Sequence, residues 1–255
     1  VIPLRDDVPA SRPPVVTRAL VVVCAAVFAL QLGDADDALV RALGMVPARV
    51  MDPDAPAWHA VAHVAPGRIA PAVGAAAVPD WLTLLTCTFL HGGLLHFAGN
   101  MLFLWIFGDN VEDRFGRLRF LLFYLACGVA ASAAHLLAAP HSPVPTVGAS
   151  GAIAGVMGAY LLLYPRARVE MLVVFGLFID FIVLPAPFFL VYWFVLQLAG
   201  GAFASATGGG VAWWAHIGGF VAGAAVAGAL RAAGRLRPEP PHIALVRRRL
   251  APRRW

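Results

Sequence analysis

The chain has 255 residues, of which 60% are hydrophobic and only 13% charged, and its 19 basic residues, all arginine, outnumber 14 acidic ones. Soluble domains are about 45–50% apolar and about 25% charged, so this composition excludes an ordinary soluble fold: too little polar surface exists to cover the apolar surface. The net charge of +5 is not in itself a sign of nucleic acid binding, and three cysteines, each in an apolar stretch, make neither a disulfide framework nor a zinc site.

Four stretches free of Asp, Glu, Lys and Arg organise the chain, at 19–33, 81–108, 120–165 and 181–230. A membrane helix takes about 20 apolar residues. The last two stretches, 46 and 50 residues long, therefore each hold two spans and a turn. In chain order the predicted spans are about 16–33, a second opening at His91, then 118–139, 150–164, 184–203 and 211–230. Pro140, Pro143, Pro145 and Gly148 divide the third stretch, and Gly200, Gly201 and Gly208–Gly210 divide the fourth. Residues 171–184 are apolar too, but they number only fourteen and contain Asp180, which reads as an interfacial segment or the approach to span five. No small-residue cleavage site clearly follows the first apolar run, so a cleaved signal peptide is not expected. The expectation is an all-α membrane protein, a six-transmembrane-helix bundle. It has an N-terminal tail 1–15, a membrane domain 16–233 with an external loop 34–80, and a basic tail 234–255.

Arginine sets the orientation. The N-terminal tail, the connections after spans two and four, and the C-terminal tail hold sixteen of the nineteen, whereas loops 140–149 and 204–210 hold none. The positive-inside rule then puts both termini in the cytoplasm. The basic tail is expected to lie on anionic lipid headgroups rather than on nucleic acid.

In so apolar a bundle, polar residues within the spans are informative, because each is costly unless it faces the interior or a wet cavity. Span two opens with His91-Gly-Gly-Leu-Leu-His96-Phe-Ala-Gly-Asn100, placing His96 and Asn100 on one helical face. Span four opens with Gly148-Ala149-Ser150-Gly151, and span six carries Ala215-His216-Ile217-Gly218-Gly219. All three spans run from outside to inside, so the clusters share one depth near the outer leaflet. Span four is short: fifteen residues from Ser150 to Tyr164 reach about 22 Å against a hydrocarbon core of about 30 Å. Ser150 is therefore expected at the floor of an aqueous recess. The pairs Gly151/Gly155 and Gly219/Gly223 permit close helix approach and would bring Ser150 to His216.

A serine hydroxyl becomes a nucleophile when a base takes its proton, and acyl transfer needs donors for the oxyanion. His216 is the candidate base. The Ser150 backbone N–H, His96 and Asn100 are the candidate donors, and no carboxylate lies at this depth. At this point the residues resemble the rhomboid family of intramembrane serine proteases, from about Trp81 to Leu230. The resemblance implies Ser150 as nucleophile flanked by Gly148 and Gly151, His216 as base, an oxyanion role for His96 and Asn100, and a supporting polar role for His91. It also implies a structural hydrogen-bonding role for Glu112 and Arg114 in GDNVEDRFG, and YPRAR at 164–168 is similar to bacterial members.

Two positions depart from the family pattern: Ala154 stands where members often carry an aromatic residue against the histidine, and Trp81-Leu82 lacks the usual arginine. The implied activity is cleavage of single-pass transmembrane proteins near the outer face by an acyl-enzyme route, without metal or cofactor, in a bacterial inner membrane. Substrates would carry helix-breaking residues near the outer leaflet and a small residue before the cut. His59 and His63 lack the HExxH glutamate of a metalloprotease. The alternatives are an inactive rhomboid-like protein that binds and escorts clients, and a small transporter, for which no inverted repeat is evident.

Overall fold

The structure is a computed structural model that describes residues 2–34, 37–52, 63–65, 68–69, 78–175, 178–203 and 211–238. Much of the expected external loop, the turn at 204–210 and the basic tail beyond 238 lie outside the described residues.

Strand β1 (Ile2–Asp6) precedes helix α1 (Val15–Leu32), and short helices α2 (Ala38–Leu43) and α3 (Pro47–Met51) follow. Strands β2 (His63–Ala65) and β3 (Arg68–Ile69) pair antiparallel. The short helix α4 (Thr83–Thr86) leads to the long helices α5 (Leu94–Phe115) and α6 (Arg117–Ala138) and the shorter α7 (Ser150–Leu163). Strands β4 (Arg168–Phe175) and β5 (Phe178–Pro185) then run into α8 (Ala186–Phe203), and α9 (Trp213–Ala232) closes the bundle. Helices α1, α6, α8 and α9 are long and apolar enough to cross a bilayer; residues Asp80–Phe89 and α5, bent by 80° at their break, form a further candidate span.

Most helices lie within two or three residues of their expected positions. Helix α5 does not: it starts at Leu94 and continues through Asp109, where the uncharged stretch ends, as far as Phe115. Its buried charges are tolerated because each finds a partner. Helix α1 starts after Pro14 with no side-chain cap of its own. Glu112 supplies the cap, accepting hydrogen bonds from the Val16 amide at 3.0 Å, the Thr17 amide at 2.8 Å and the Thr17 hydroxyl at 2.9 Å. A carboxylate at a helix N-terminus also meets the positive end of its dipole. Arg114 Nε donates to the Arg237 carbonyl at 2.9 Å, and the Arg237 amide donates back to the Arg114 carbonyl at 2.8 Å, tying the segment after α9 to the α5–α6 turn.

The all-α expectation fails over residues 168–185. Strands β4 and β5 pair antiparallel from Arg168↔Pro185 to Phe175↔Phe178, and β1 adds to the other edge of β4. The reason is local. Val169, Val173, Val174, Ile179, Ile182 and Val183 are β-branched, and aromatics fill several of the remaining positions, a composition that favours a pleated surface. Arg5 on β1 pairs with Glu170 on β4 at 2.6 Å. At the end of the same strand, the Tyr160 hydroxyl and Asn110 Nδ2 donate to the Asp6 carboxylate. Burial pushes the Asp6 carboxyl up to about 6, with the Tyr160 hydrogen bond pulling the other way.

The tightest contact is between α7 and α9. A side chain starting at Gly219 would lie 2.0 Å from the Gly151 carbonyl oxygen, and one at Gly223 would lie 1.9 Å from that of Gly155. Backbone therefore rests on backbone, and α7 is buried continuously from Gly151 to Tyr160. All three cysteines are free and buried.

Two outcomes are expected. Gly223→Ala places a methyl inside a helical carbonyl that cannot turn aside, so overpacking of about 2–3 kcal/mol should lower the unfolding midpoint in detergent. For Asp6, a pKa raised from 3.8 to about 6 means the protonated form suits the folded state. Docking of β1 is then strongest below about pH 4 and weakens as pH rises through about 6. Hydrogen exchange across residues 2–6 should quicken over that window beyond its intrinsic pH dependence, and Asp6→Asn should abolish the excess.

Candidate active site

Ser150 is the first residue of α7 and His216 lies in the first turn of α9. The glycine contacts just described hold these two helix starts side by side, and Ser150 Oγ lies 2.7 Å from His216 Nε2. Both residues are half-buried.

The other face of the imidazole is set by α8. Gln197 Oε1 lies 2.7 Å from His216 Nδ1, and Gln197 Nε2 donates to the Trp193 carbonyl at 3.2 Å. The Trp193 ring packs against the imidazole with centroids 5.7 Å apart and planes tilted by 39°. The aromatic neighbour that Ala154 cannot provide thus comes from α8.

Opposite Ser150 stands His96, in the first turn of α5. Its Nδ1 accepts from the Gly92 amide at 3.2 Å, so the proton of the neutral ring sits on Nε2 as a donor. Gly148 lies between the two side chains. With φ +132°, its backbone adopts a conformation suited to glycine, and a side chain there would start 2.9 Å from His96 Nε2 and 3.5 Å from Ser150 Oγ. One turn along α5 from His96, Asn100 is buried and its Nδ2 has no hydrogen-bond partner among the described residues. The first N–H groups of α7, those of Ser150 and Gly151, have no acceptor within their own helix. His96 Nε2 and the first amides of α7 thus stand beside the hydroxyl, and Asn100 follows His96 on the same face of α5.

His91 braces this group. Its amide donates to Gln31 Oε1 at 2.9 Å, and Gln31 Nε2 donates to its carbonyl at 3.1 Å, so α1 clamps the backbone on both sides. The His91 ring makes aromatic contacts instead, edge-on to Phe97 at 5.2 Å and to His96 at 5.6 Å, and both ring nitrogens lack hydrogen-bond partners among the described residues. Glu112 and Arg114 are at the far end of α5 and touch none of these residues.

The structure thus gathers Ser150, His216, His96 and Gly148, with Asn100 one turn away. Sequence reading missed Gln31, Trp193 and Gln197. A signal existed: Gln197 is the lone strongly polar residue of α8, and Gln31 stands in the uncharged part of α1, the same oddity that marks the histidines. Two cavities of about 490 Å³ lie at the arginine-rich end, lined by residues including Arg12, Arg117 and Arg237 or Arg18 and Trp105. The wet recess expected at Ser150 is neither of them. His59 lies outside the described residues.

Comparison with known proteins places the chain in a family. The Rhomboid domain pattern matches residues 78–233. Rhomboid protease GluP of Bacillus subtilis (strain 168) is 49% identical over 82 residues, 32% of this chain and 16% of that protein. Rhomboid-like protein 11, chloroplastic, of Arabidopsis thaliana is 39% identical over 84 residues, 33% of this chain and 30% of that protein. Rhomboid protein 1, mitochondrial, of Saccharomyces cerevisiae is 32% identical over 100 residues, 38% of this chain and 29% of that protein. The chain thus spans less than a third of the length of each of these relatives. With a family match covering more than half its length and a bundle of apolar helices, the chain is a multi-pass integral membrane protein and belongs to the rhomboid family.

Proposed function

We propose that this protein is an intramembrane serine endopeptidase that cuts single-pass transmembrane proteins near the outer leaflet. The observation that carries this reading is the 2.7 Å contact between Ser150 Oγ and His216 Nε2. In the proposed reaction, Oγ attacks the scissile carbonyl carbon while Nε2 takes the hydroxyl proton. The oxyanion receives hydrogen bonds from the Ser150 amide, His96 Nε2–H and Asn100 Nδ2. Collapse of the tetrahedral intermediate breaks the C–N bond, and the imidazolium returns its proton to the leaving amine. Water then repeats the sequence on the ester and frees Ser150.

A six-span topology with cytoplasmic termini fits the same reading. Arg5 pairs with Glu170, Arg119 donates to the Arg235 carbonyl, and Arg231 donates to that of Leu162, so the arginine-bearing segments meet at the end of the bundle opposite Ser150. By the positive-inside rule that end is cytoplasmic, which leaves the serine toward the outer leaflet. A helical substrate must unwind there to expose its peptide bond, so a segment with helix-breaking residues and a small residue before the cut suits the site. A bacterial cytoplasmic membrane is the proposed location.

Reconstitution in liposomes with a generic single-pass substrate tests the proposal. Ser150→Ala and His216→Ala should each lower turnover by about 10³-fold or more. A fluorophosphonate should label the wild-type protein but not Ser150→Ala. His96→Ala and Asn100→Ala should each lower kcat by about 10²–10³-fold. Cleavage that survives loss of Ser150 removes the assignment. Substrate capture without cleavage or labelling identifies a client-binding escort instead.

A further inference from the structure

The protease reading needs His216 to present an unprotonated Nε2 to Ser150, and nothing in a two-residue arrangement secures this. A neutral imidazole carries its proton on either nitrogen. If the proton sat on Nε2, the ring would donate to Oγ and could not act as base. The partner of Nδ1 therefore decides the matter, and that partner is buried Gln197.

An amide offers an acceptor at one end and donors at the other, so its orientation must be settled by what surrounds it. Gln197 Nε2 lies 3.2 Å from the Trp193 carbonyl oxygen, one turn earlier on α8. The reverse orientation would face Oε1 against that carbonyl, two acceptors with no hydrogen between them. The amide nitrogen is thereby committed to Trp193, and Oε1 is left facing His216 Nδ1 at 2.7 Å. An acceptor at that distance requires a hydrogen on Nδ1, which leaves Nε2 bare and 2.7 Å from Ser150 Oγ. Every donor in the chain then points the same way: Ser150 hydroxyl to His216, His216 Nδ1–H to Gln197, Gln197 amide to Trp193. Trp193 acts twice, its carbonyl orienting the amide and its ring packing on the imidazole.

We infer that Gln197 is a positioning residue that fixes His216 in the Nδ1–H tautomer, making the site a Ser150–His216–Gln197 relay in which a neutral amide occupies the place that a carboxylate holds in soluble serine proteases. The inference rests on the protease reading for its catalytic meaning. The other titratable groups acting on His216 are His96 on α5 and His135 on α6, neither of them acidic.

The tautomer is read directly by nitrogen NMR of the full chain, labelled with ¹⁵N-histidine in detergent micelles and assigned by difference with His216→Ala. The wild type should show His216 protonated on Nδ1 and bare on Nε2. Gln197→Leu should lose that preference, and Gln197→Glu, which keeps an acceptor, should retain it. In the cleavage assay, loss of one neutral hydrogen bond should lower kcat of Gln197→Leu by about tenfold with KM unchanged. Gln197→Glu should recover kcat and move the acidic limb of the pH–rate profile upward, because a carboxylate favours the imidazolium. That upward shift decides the question even if Gln197→Leu does not fold. A wild-type His216 protonated on Nε2, a tautomer unchanged in Gln197→Leu, or equal defects in the Leu and Glu variants would overturn the inference. A wild type that neither cleaves nor labels overturns the protease reading instead, while the spectra still decide the role of Gln197.

Discussion

Helices α7 and α9 meet without side chains. At Gly151/Gly219 and Gly155/Gly223, the backbones of α7 and α9 meet so closely that a single added carbon would collide with a carbonyl oxygen. In lipid no hydrophobic drive pulls helices together, so association relies on packing and hydrogen bonds that only close approach allows. That approach fixes the relative height of two helix starts, one bearing a hydroxyl and the other an imidazole. Helix α6 fits a third side of α7, with Ala131 and Cys127 set against Gly151 and Gly155. Helix α8 reaches the imidazole from the side that α7 leaves open.

Polar groups are divided between the two ends of the bundle by kind. The end that gathers β1, the α5–α6 turn, the β4–β5 hairpin and the segment after α9 uses formal charges: Glu112 caps α1, Arg5 meets Glu170, and Arg114 and Arg119 bond to carbonyls beyond α9. Around Ser150 itself the groups are neutral, namely serine, histidine, asparagine, glutamine and backbone amides, and the formal charges nearest that end, Arg49 and Asp80, are paired with each other at 2.6 Å. Helix α7 connects the two, with Tyr160 donating to Asp6 near one end and Ser150 at the other.

Much of this was legible in the chain itself, for physical reasons. Uncharged stretches locate helices because a charge within lipid is expensive, and proline and glycine clusters mark the turns between them. The histidines, Asn100 and Ser150 stood out because a polar group in an apolar span demands explanation. What escaped notice depends on partners distant in sequence. The carboxylate of Glu112 caps a helix by bonding to Thr17, 95 residues earlier, a pairing no local pattern announces. Gln197 gains meaning only once α8 is known to lie against α9. The strands of the β4–β5 hairpin were not legible in the interfacial segment, or approach to span five, read at 171–184, because its apolar content hid a β-branched composition, and because β1, which extends the sheet, falls in the N-terminal tail.

The use of an amide behind His216 has an electrostatic corollary. A carboxylate carried into a medium of low polarity loses its hydration at an effective penalty of several kcal/mol, which a lone imidazole partner does not readily offset. Gln197 accepts the same hydrogen bond with no ionic charge to strip of water. The relay is therefore assembled entirely from dipoles and stays electrically silent at rest. Charge would arise there only transiently, as the imidazolium and oxyanion of the reaction, adjacent and opposite in sign.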